Sequence, residues 1–170
     1  MIILTGDELK FRLEDADNPL VEPCRPEQVQ PNGVELTLAS VAKFAGPPGR
    51  LGFDNADRRL PEYEEVPFDD DGWVRLEPGP YVVTYAETVH IHDDLFAIGR
   101  PRSSLLRMGA AIYTALWDTG YYGRSQSLLN VTNPAGIELE RSARLIQLVF
   151  FKLGSGLEEG YEGRYRGENI

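Results

Sequence analysis

The segment GRPRSSLLRMG, residues 99–109, carries the densest set of groups suited to binding an anion. Two guanidinium groups and two hydroxyls fall within six residues, those of Arg102, Ser103, Ser104 and Arg107. Groups of this kind hold phosphates through charge-assisted hydrogen bonds, and a helix N-terminus at this point would add to the effect. The alternative is a serine N-cap that opens a short turn of helix, with both arginines solvated. The residues alone leave both interpretations open.

A single carboxylate, Asp118, lies within the aromatic segment ALWDTGYYGRSQSLL, residues 115–129. Removing a carboxylate from water beside Trp117 is costly, so Asp118 is expected to have a partner or a function. The alternative is a turn residue that caps the bend at Thr119 and Gly120. Asp118 is therefore a candidate functional residue whose role depends on the rest of the chain.

The only two histidines, His90 and His92, stand two apart in the segment HIHDD. On a strand, this spacing places both rings on one face, where Asp93 or Asp94 could complete a metal site of the cupin type. The following residues, LFAIGR, supply no glutamate for such a site. The alternative is that the histidines simply end a strand at the Asp-Asp turn.

Composition predicts a single, mostly β domain. The chain has 170 residues, 42% of them hydrophobic, with 17 Gly and 12 Pro scattered between short apolar runs. Such punctuation is too frequent for long helices and is typical of a sandwich or barrel of short strands. No internal repeat interrupts this pattern.

Charge and hydropathy predict the partners and the compartment. A net charge of −10 and a pI near 4.7 disfavour binding to nucleic acid or to an anionic membrane surface. No apolar run is long enough to span a bilayer, and the N-terminal residues MIILTGDELKF do not resemble a secretion signal. With one cysteine, Cys24, and hence no internal disulfide, the sequence predicts a cytoplasmic protein with neither nucleic acid nor membrane as partner.

Local signals predict the first elements. Thr5 and Glu8 form a capping-box pattern that favours one short helix over residues 6–15. The segment PNGVELTLASVAKF, residues 31–44, alternates apolar and polar residues as a half-buried strand does, with a turn before it. Residues 45–72, rich in Pro, Gly and acidic side chains, are expected to form an exposed insertion.

Several segments together resemble, in order along the chain, the motifs of the trimeric dUTPase and dCTP deaminase superfamily. They are QPNGVELTL (30–38), PRSSLLRMG (101–109), ALWDTGYYG (115–123), ARLIQLVF (143–150) and YEGRYRG (161–167). The resemblance runs from about residue 30 to the C-terminus, and each motif alone is weak. It implies one domain over residues 1–170 with a distorted jelly-roll or β-barrel fold of the β-clip type.

The resemblance also implies roles for the nucleoside-binding residues. Asp118 matches the aspartate that holds the 3′-hydroxyl or orients the attacking water, and an ionised carboxylate suits both tasks. Tyr121 matches a tyrosine whose ring packs under the deoxyribose and excludes a 2′-hydroxyl. Uracil would be bound by backbone groups of the hairpin formed by Ile112, Tyr113, Thr114 and Ala115.

Phosphates would be held by Arg102, Ser103, Ser104 and Arg107, with assistance from Gln147, and Mg²⁺ would arrive with the triphosphate. The resemblance implies a mobile C-terminal tail, residues 160–170, that closes over the phosphates with Tyr161, Arg164 and Tyr165. It also implies a homotrimer with shared active sites. The family's tail carries a glutamine near its end, where this chain has Glu168. An anion beside phosphate is unfavourable, which argues against a phosphate contact from Glu168.

The choice between the two enzymatic activities depends on position 128. In the deaminases, a glutamate ten residues after the hairpin aspartate serves as the acid and base at the cytosine ring. This chain has Leu128 there, and Gln126, on the same strand face, cannot shuttle protons. The hairpin between Arg107 and Asp118 is also shorter than in bacterial deaminases. The sequence therefore predicts a dUTP diphosphatase that converts dUTP to dUMP and pyrophosphate.

Three alternatives remain open from the sequence. A dCTP deaminase, or a bifunctional enzyme that makes dUMP from dCTP, is the nearest. A non-catalytic nucleotide-binding trimer of the same fold is the second. A cupin-like metalloprotein built on His90 and His92 is the third.

Overall fold

In a computed structural model, the described residues, 2–155 and 160–170, form a β-rich domain with 45% of the residues in strands. The strands and helices in chain order are β1 (Ile2–Ile3), α1 (Gly6–Leu13), β2 (Val21–Glu22), β3 (Val29–Gln30), β4 (Gly33–Ala45), β5 (Glu62–Val66), β6 (Trp73–Leu76), β7 (Gly79–Tyr85), β8 (Thr88–His90), β9 (Leu95–Pro101), α2 (Ser103–Arg107), β10 (Ala110–Tyr113), β11 (Leu116–Trp117), β12 (Tyr122–Gly123), β13 (Gln126–Val131), β14 (Ile137–Glu140) and β15 (Arg144–Lys152). Two 3-10 turns span Pro26–Gln28 and Asn55–Asp57.

The main sheet curls into a half-barrel and confirms the mainly β prediction. Its strands run in the order β10, β13, β7, β4, β15, β9 and β11, and β1, β3 and β5 pair at its sides. Two small sheets, β12–β8–β2 and β14–β6, complete the structure. The pairs are antiparallel, and the buried Val, Leu and Ile side chains form one core. In the described part of the chain, no helix is long and apolar enough to cross a membrane.

Strand β4 differs from its predicted half-buried pattern. Residues 33–38 are buried on both faces, so Glu35 and Thr37 lie in the interior beside the apolar residues. The cause is topological, because β4 is central: residues 34–37 pair with β15, and residues 38–42 pair with β7. The interior carboxylate of Glu35 forms ion pairs with Arg102, a residue of the anion-binding motif, and with Arg144.

The N-terminal helix lies where the sequence predicts it, but its capping box is not formed. Thr5 is the N-cap residue and makes no side-chain capping bond. Glu8, the other half of the pattern, instead forms an ion pair with Lys152 on β15. The structure also adds a second helix, α2, to the one predicted. Arg102 is the N-cap of α2, so Ser103 is its first residue rather than its cap.

Residues 45–72 are mostly exposed, as predicted, but are more regular than the sequence indicates. Strand β5 pairs with the outer half of β4, from Val41 opposite Val66 to Ala45 opposite Glu62. An isolated antiparallel bridge between Arg50 and Arg59 joins the two sides of the connection between β4 and β5. We call residues 41–66 the ribbon. The sequence did not predict β5 because four of its five residues are exposed and three are glutamates.

Candidate active site

The first part of the candidate site is the anion-binding motif on α2, which follows directly from β9. Arg102 directs its Nε toward Oε1 of Glu35 at 2.6 Å, and Arg144 places Nη1 at 2.9 Å from Oε2 of the same carboxylate. Glu35 is only 5% exposed, so two cations neutralise a charge held in the interior. Arg102 is therefore a fixed side chain with part of its guanidinium committed to the fold.

The other members of the motif face outward. Ser103, Ser104 and Arg107 are exposed, and the guanidinium of Arg107 donates from Nη1 to the backbone oxygen of Ser103 at 3.1 Å. Their hydroxyls and remaining guanidinium donors are accessible to an anionic ligand. The motif thus combines one half-buried, pre-positioned arginine, Arg102, with one solvent-facing arginine, Arg107.

The second part is a cavity of about 460 Å³ beside the hairpin that contains β11 and β12. Its lining comes from the hairpin, the start of β13, the ribbon and the C-terminal tail. The lining residues are Leu60, Tyr63, Ala115, Leu116, Trp117, Asp118, Tyr121, Ser125, Gln126, Tyr161, Tyr165 and Glu168. Four tyrosines and one tryptophan make it an apolar, aromatic cavity with two carboxylates, which suits a nucleoside better than a free ion.

Asp118 lines this cavity and is exposed, so the expected cost of desolvating it does not arise. Its backbone oxygen accepts a hydrogen bond from the amide of Tyr121 at 3.1 Å, while no side-chain hydrogen bond involves its carboxylate within residues 2–155 and 160–170. The neighbouring bend is held by other groups: the Thr119 hydroxyl donates to the Leu95 oxygen at 2.6 Å. The carboxylate is thus available to a ligand rather than engaged in capping the turn.

Tyr121 is buried in the cavity wall and contacts the tail. Its hydroxyl donates to Oε1 of Glu168 at 2.7 Å, and the exposed fraction of the residue is 6%. Burial, reinforced by the hydrogen bond to Glu168, raises the pKa of Tyr121. Burial also raises the pKa of the Glu168 carboxyl, which the Tyr121 hydrogen bond offsets in part. The raised pKa of Tyr121 means that the phenol keeps its proton and donates it in the hydrogen bond to Glu168.

The C-terminal tail packs on the hairpin of its own chain. The amide of Tyr161 donates to the Thr119 oxygen at 2.6 Å, and the amide of Arg124 donates to the Glu168 oxygen at 3.0 Å. Tyr161 and Tyr165 are partly buried against the core, whereas Arg164 is exposed and absent from the cavity lining. The two tyrosines therefore anchor the tail on the hairpin.

The remaining predicted residues are dispersed around the hairpin. Ile112 is buried and Tyr113 exposed on β10, and the Thr114 hydroxyl donates to the Gly99 oxygen at 3.4 Å. Of the predicted hairpin segment, only Ala115 lines the cavity. Gln147 lies on β15 opposite Glu35 and Arg100, close in the sheet to the anion motif rather than to the cavity.

The ribbon supplies cavity residues that sequence reasoning missed. Leu60 and Tyr63 line the cavity, and the Arg58 guanidinium lies 5.6 Å from the centre of the Tyr165 ring, within cation–π range. Tyr63 also packs edge-to-face on Phe44 of β4. The aromatic residues Phe44, Phe53 and Tyr63 within a mostly polar segment were the available signal for this role.

The two parts of the candidate site do not meet within one chain. Among the described residues that line the cavity, none comes from the motif at 102–107. The carboxylates of Asp118 and Glu168 line the cavity, whereas the solvent-facing guanidinium of Arg107 lies outside it. A ligand with both a nucleoside and a polyphosphate would need both parts.

The structure argues against a cupin-like metal centre at the histidines. His92 lies beyond the end of β8, and both its ring nitrogens are engaged: Nδ1 with Arg12 Nη1 at 2.8 Å and Nε2 with the Asn18 oxygen at 2.9 Å. Because a guanidinium only donates, Nδ1 accepts and Nε2 carries the proton. Arg12 also binds Asp94, which engages one of the two predicted carboxylate ligands. Burial and the neighbouring His92 lower the pKa of His90.

In the described residues, no three His, Cys, Asp or Glu side chains lie close enough together to hold a metal ion.

The fold is similar to that of a solved 2′-deoxycytidine 5′-triphosphate deaminase from Agrobacterium tumefaciens. The two share a TM-score of 0.62 at 24% identity, over 87% of this chain and 47% of the other. The chain belongs to the dCTP deaminase-like family, whose model matches residues 3–153.

Two relatives match almost the full length of the chain. A protein of Archaeoglobus fulgidus named "Probable deoxyuridine 5'-triphosphate nucleotidohydrolase" is 48% identical over 170 residues, with 100% of this chain and 99% of the relative covered. A Methanosarcina mazei protein of the same name is 46% identical over 171 residues, with 99% of each chain covered.

Proposed function

We propose that the protein is a dUTP diphosphatase that hydrolyses dUTP to dUMP and pyrophosphate in the cytoplasm. The observation that carries the proposal is an aromatic cavity with an exposed, unengaged carboxylate, Asp118, and no acid or base at position 128. Relatives that match this chain from end to end bear the name of this activity.

The environment of position 128 supports hydrolysis over deamination. Leu128 is 37% exposed on β13 and is not among the residues that line the cavity. Gln126, on the same face, lines the cavity but donates its amide to the Thr84 hydroxyl at 3.0 Å. Deamination at the cytosine ring needs a group that takes a proton from water and gives it to the leaving amine. Neither side chain can do so.

Asp118 would act on the substrate in one of two ways. Its carboxylate would activate the water that attacks the triphosphate, or it would hold the 3′-hydroxyl and so fix the nucleotide. Tyr121 would form the floor beneath the deoxyribose, and backbone groups of residues 112–115 would bind uracil. The hydrophobic side chains around these groups would exclude bulk water from the reaction.

The phosphate chain would be held by the motif on α2, with Gln147 nearby on β15. Because the motif and the cavity do not meet within one chain, we propose a homotrimer in which neighbouring copies complete each other's sites. Tyr161, Arg164 and Tyr165 of the tail would close over the bound triphosphate. Mg²⁺ would arrive on the triphosphate and supply charge neutralisation, which an acidic protein needs.

Product analysis tests the proposal. The protein is incubated with Mg²⁺ and one of dUTP, dCTP, UTP or dTTP, and the products are separated by chromatography. We expect dUMP and pyrophosphate from dUTP and much slower turnover of the others. If none of the four is hydrolysed although a non-hydrolysable dUTP analogue binds, the protein is a nucleotide-binding trimer without this activity.

A further inference from the structure

The side chain of Tyr121 is held by the C-terminal tail, not by the hairpin alone. The hairpin fixes its backbone, since its amide donates to the Asp118 oxygen at 3.1 Å and its oxygen accepts from the Ile91 amide at 2.8 Å. These backbone bonds do not fix the side-chain torsions, so the position of the ring depends on its packing in the core and on what its hydroxyl contacts. The hydroxyl, at the far end of the ring, is tied down by Oε1 of Glu168 at 2.7 Å.

Glu168 is itself positioned by the hairpin. Its backbone oxygen accepts from the Arg124 amide at 3.0 Å, and the residue forms a parallel bridge with Gly123. A Cβ atom at position 123 would lie 3.1 Å from the Glu168 nitrogen and oxygen, and 3.1 Å from the Tyr121 hydroxyl. A side chain at position 123 would therefore crowd Glu168 and the tyrosine hydroxyl, and these groups would have to shift by a few tenths of an ångström.

We infer that Glu168 is a specificity-determining positioning residue that holds the Tyr121 ring against the sugar of the nucleotide. Rejection of a 2′-hydroxyl is then complete only while the tail is docked. The inference rests on the proposed function, in which Tyr121 is the floor under the deoxyribose. It also gives the tail a role in substrate selection that differs from phosphate binding.

The physical reason is that a steric wall discriminates only if it is rigid. A ring that can yield by about 1 Å accommodates an extra hydroxyl, whereas a ring fixed at both ends does not. Deoxyribose presses less on this wall, so dUTP turnover depends on the contact less than UTP rejection does. A carboxylate is the strongest available acceptor for a phenol, and an amide oxygen in its place accepts more weakly.

The experiment measures kcat/KM for dUTP and for UTP in a set of variants. Glu168→Ala is expected to lower the dUTP/UTP ratio about tenfold, equivalent to about 1.4 kcal/mol, and Glu168→Gln by a smaller factor. Tyr121→Phe, which lacks the hydroxyl, should match Glu168→Ala, and the double variant should be no worse than either. Gly123→Ala, which displaces Glu168 by steric contact, should also lower the ratio.

Glu162→Ala is the matched control, since Glu162 is a glutamate in the same tail whose side chain is 84% exposed. It should leave the ratio unchanged. The inference is wrong if Glu168→Ala reduces dUTP and UTP turnover equally, or if Glu162→Ala lowers the ratio as much. The proposed function survives both results. It fails, and this inference with it, if the unmodified protein neither binds nor hydrolyses dUTP.

Discussion

Replacing Arg102 by alanine should destabilise the protein as well as weaken phosphate binding. Arg102 and Arg144 share the carboxylate of Glu35, whose side chain is only 6% exposed, at 2.6 and 2.9 Å. Removing one partner of a buried ion pair costs about 3–5 kcal/mol, because the other charge is left in the interior. Arg144 remains in this case, so we expect a loss of about 2–3 kcal/mol, near the value of a hydrogen bond to a charged group.

For a chain of 170 residues, about 1 kcal/mol corresponds to about 2–4 °C in Tm, so Arg102→Ala should lower Tm by about 4–12 °C. Differential scanning calorimetry at one fixed protein concentration measures the change. Arg107→Ala is the matched control: within the described part of the chain, its guanidinium bonds a backbone oxygen at the surface and no carboxylate, and its effect should stay within about 0.5 kcal/mol.

A double-mutant cycle separates this mechanism from general disruption. Glu35→Gln removes the buried charge, so adding it to Arg102→Ala should cost much less than the sum of the two single changes. The reasoning is refuted if Arg102→Ala melts within about 1 °C of the unmodified protein, or if the two changes are simply additive.

Further predictions concern the cavity and the tail. Asp118→Asn should lower dUTP hydrolysis by about 10²–10⁴-fold if the carboxylate activates water, with a smaller change in analogue binding measured by calorimetry; unimpaired turnover would exclude that role. Deleting residues 160–170 should leave a folded core by circular dichroism but cripple turnover, and full activity would remove the tail from the mechanism. Tyr63→Ala should raise KM for dUTP because the ribbon loses its contact with the cavity, whereas the exposed control Phe53→Ala should not. Burial raises the pKa of Glu168, so the docked tail holds its proton more tightly than an undocked one. Docking is therefore tightest below the ordinary glutamate pKa and becomes weaker, without being lost, as pH rises through the raised value, because the Tyr121 hydrogen bond to the carboxylate offsets part of the cost of burial. NMR shifts of tail amides should follow this pH dependence, and Glu168→Gln should abolish it.

Local patterns predicted the elements whose stability is local. Turn residues and an apolar alternation located β4, and the helical pattern after Thr5 located α1 within two residues at its C-terminal end. The short strands between Gly and Pro residues gave the mainly β class correctly. In these segments the residues that determine the structure are neighbours in the sequence.

Long-range partners explain what the sequence left undetermined. Glu35 reads as the solvent side of a half-buried strand, and only the central place of β4 between β7 and β15 makes it interior. His92 resembled a metal ligand because its partner, Arg12, lies 80 residues away. The sequence argued against a phosphate contact for Glu168 but did not reveal its partner, Tyr121, which it meets because the tail folds back on the hairpin. Such pairings depend on tertiary structure, which periodicity does not encode.

The most direct test of the central claim compares dUTP and dCTP as substrates. The unmodified protein is incubated with Mg²⁺ and each nucleotide, and nucleotide products, pyrophosphate and ammonia are measured together. The account predicts dUMP and pyrophosphate from dUTP and no ammonia from dCTP, because Leu128 offers no acid or base near the pyrimidine. Ammonia released from dCTP at a rate comparable with dUTP hydrolysis would contradict it and identify a deaminase.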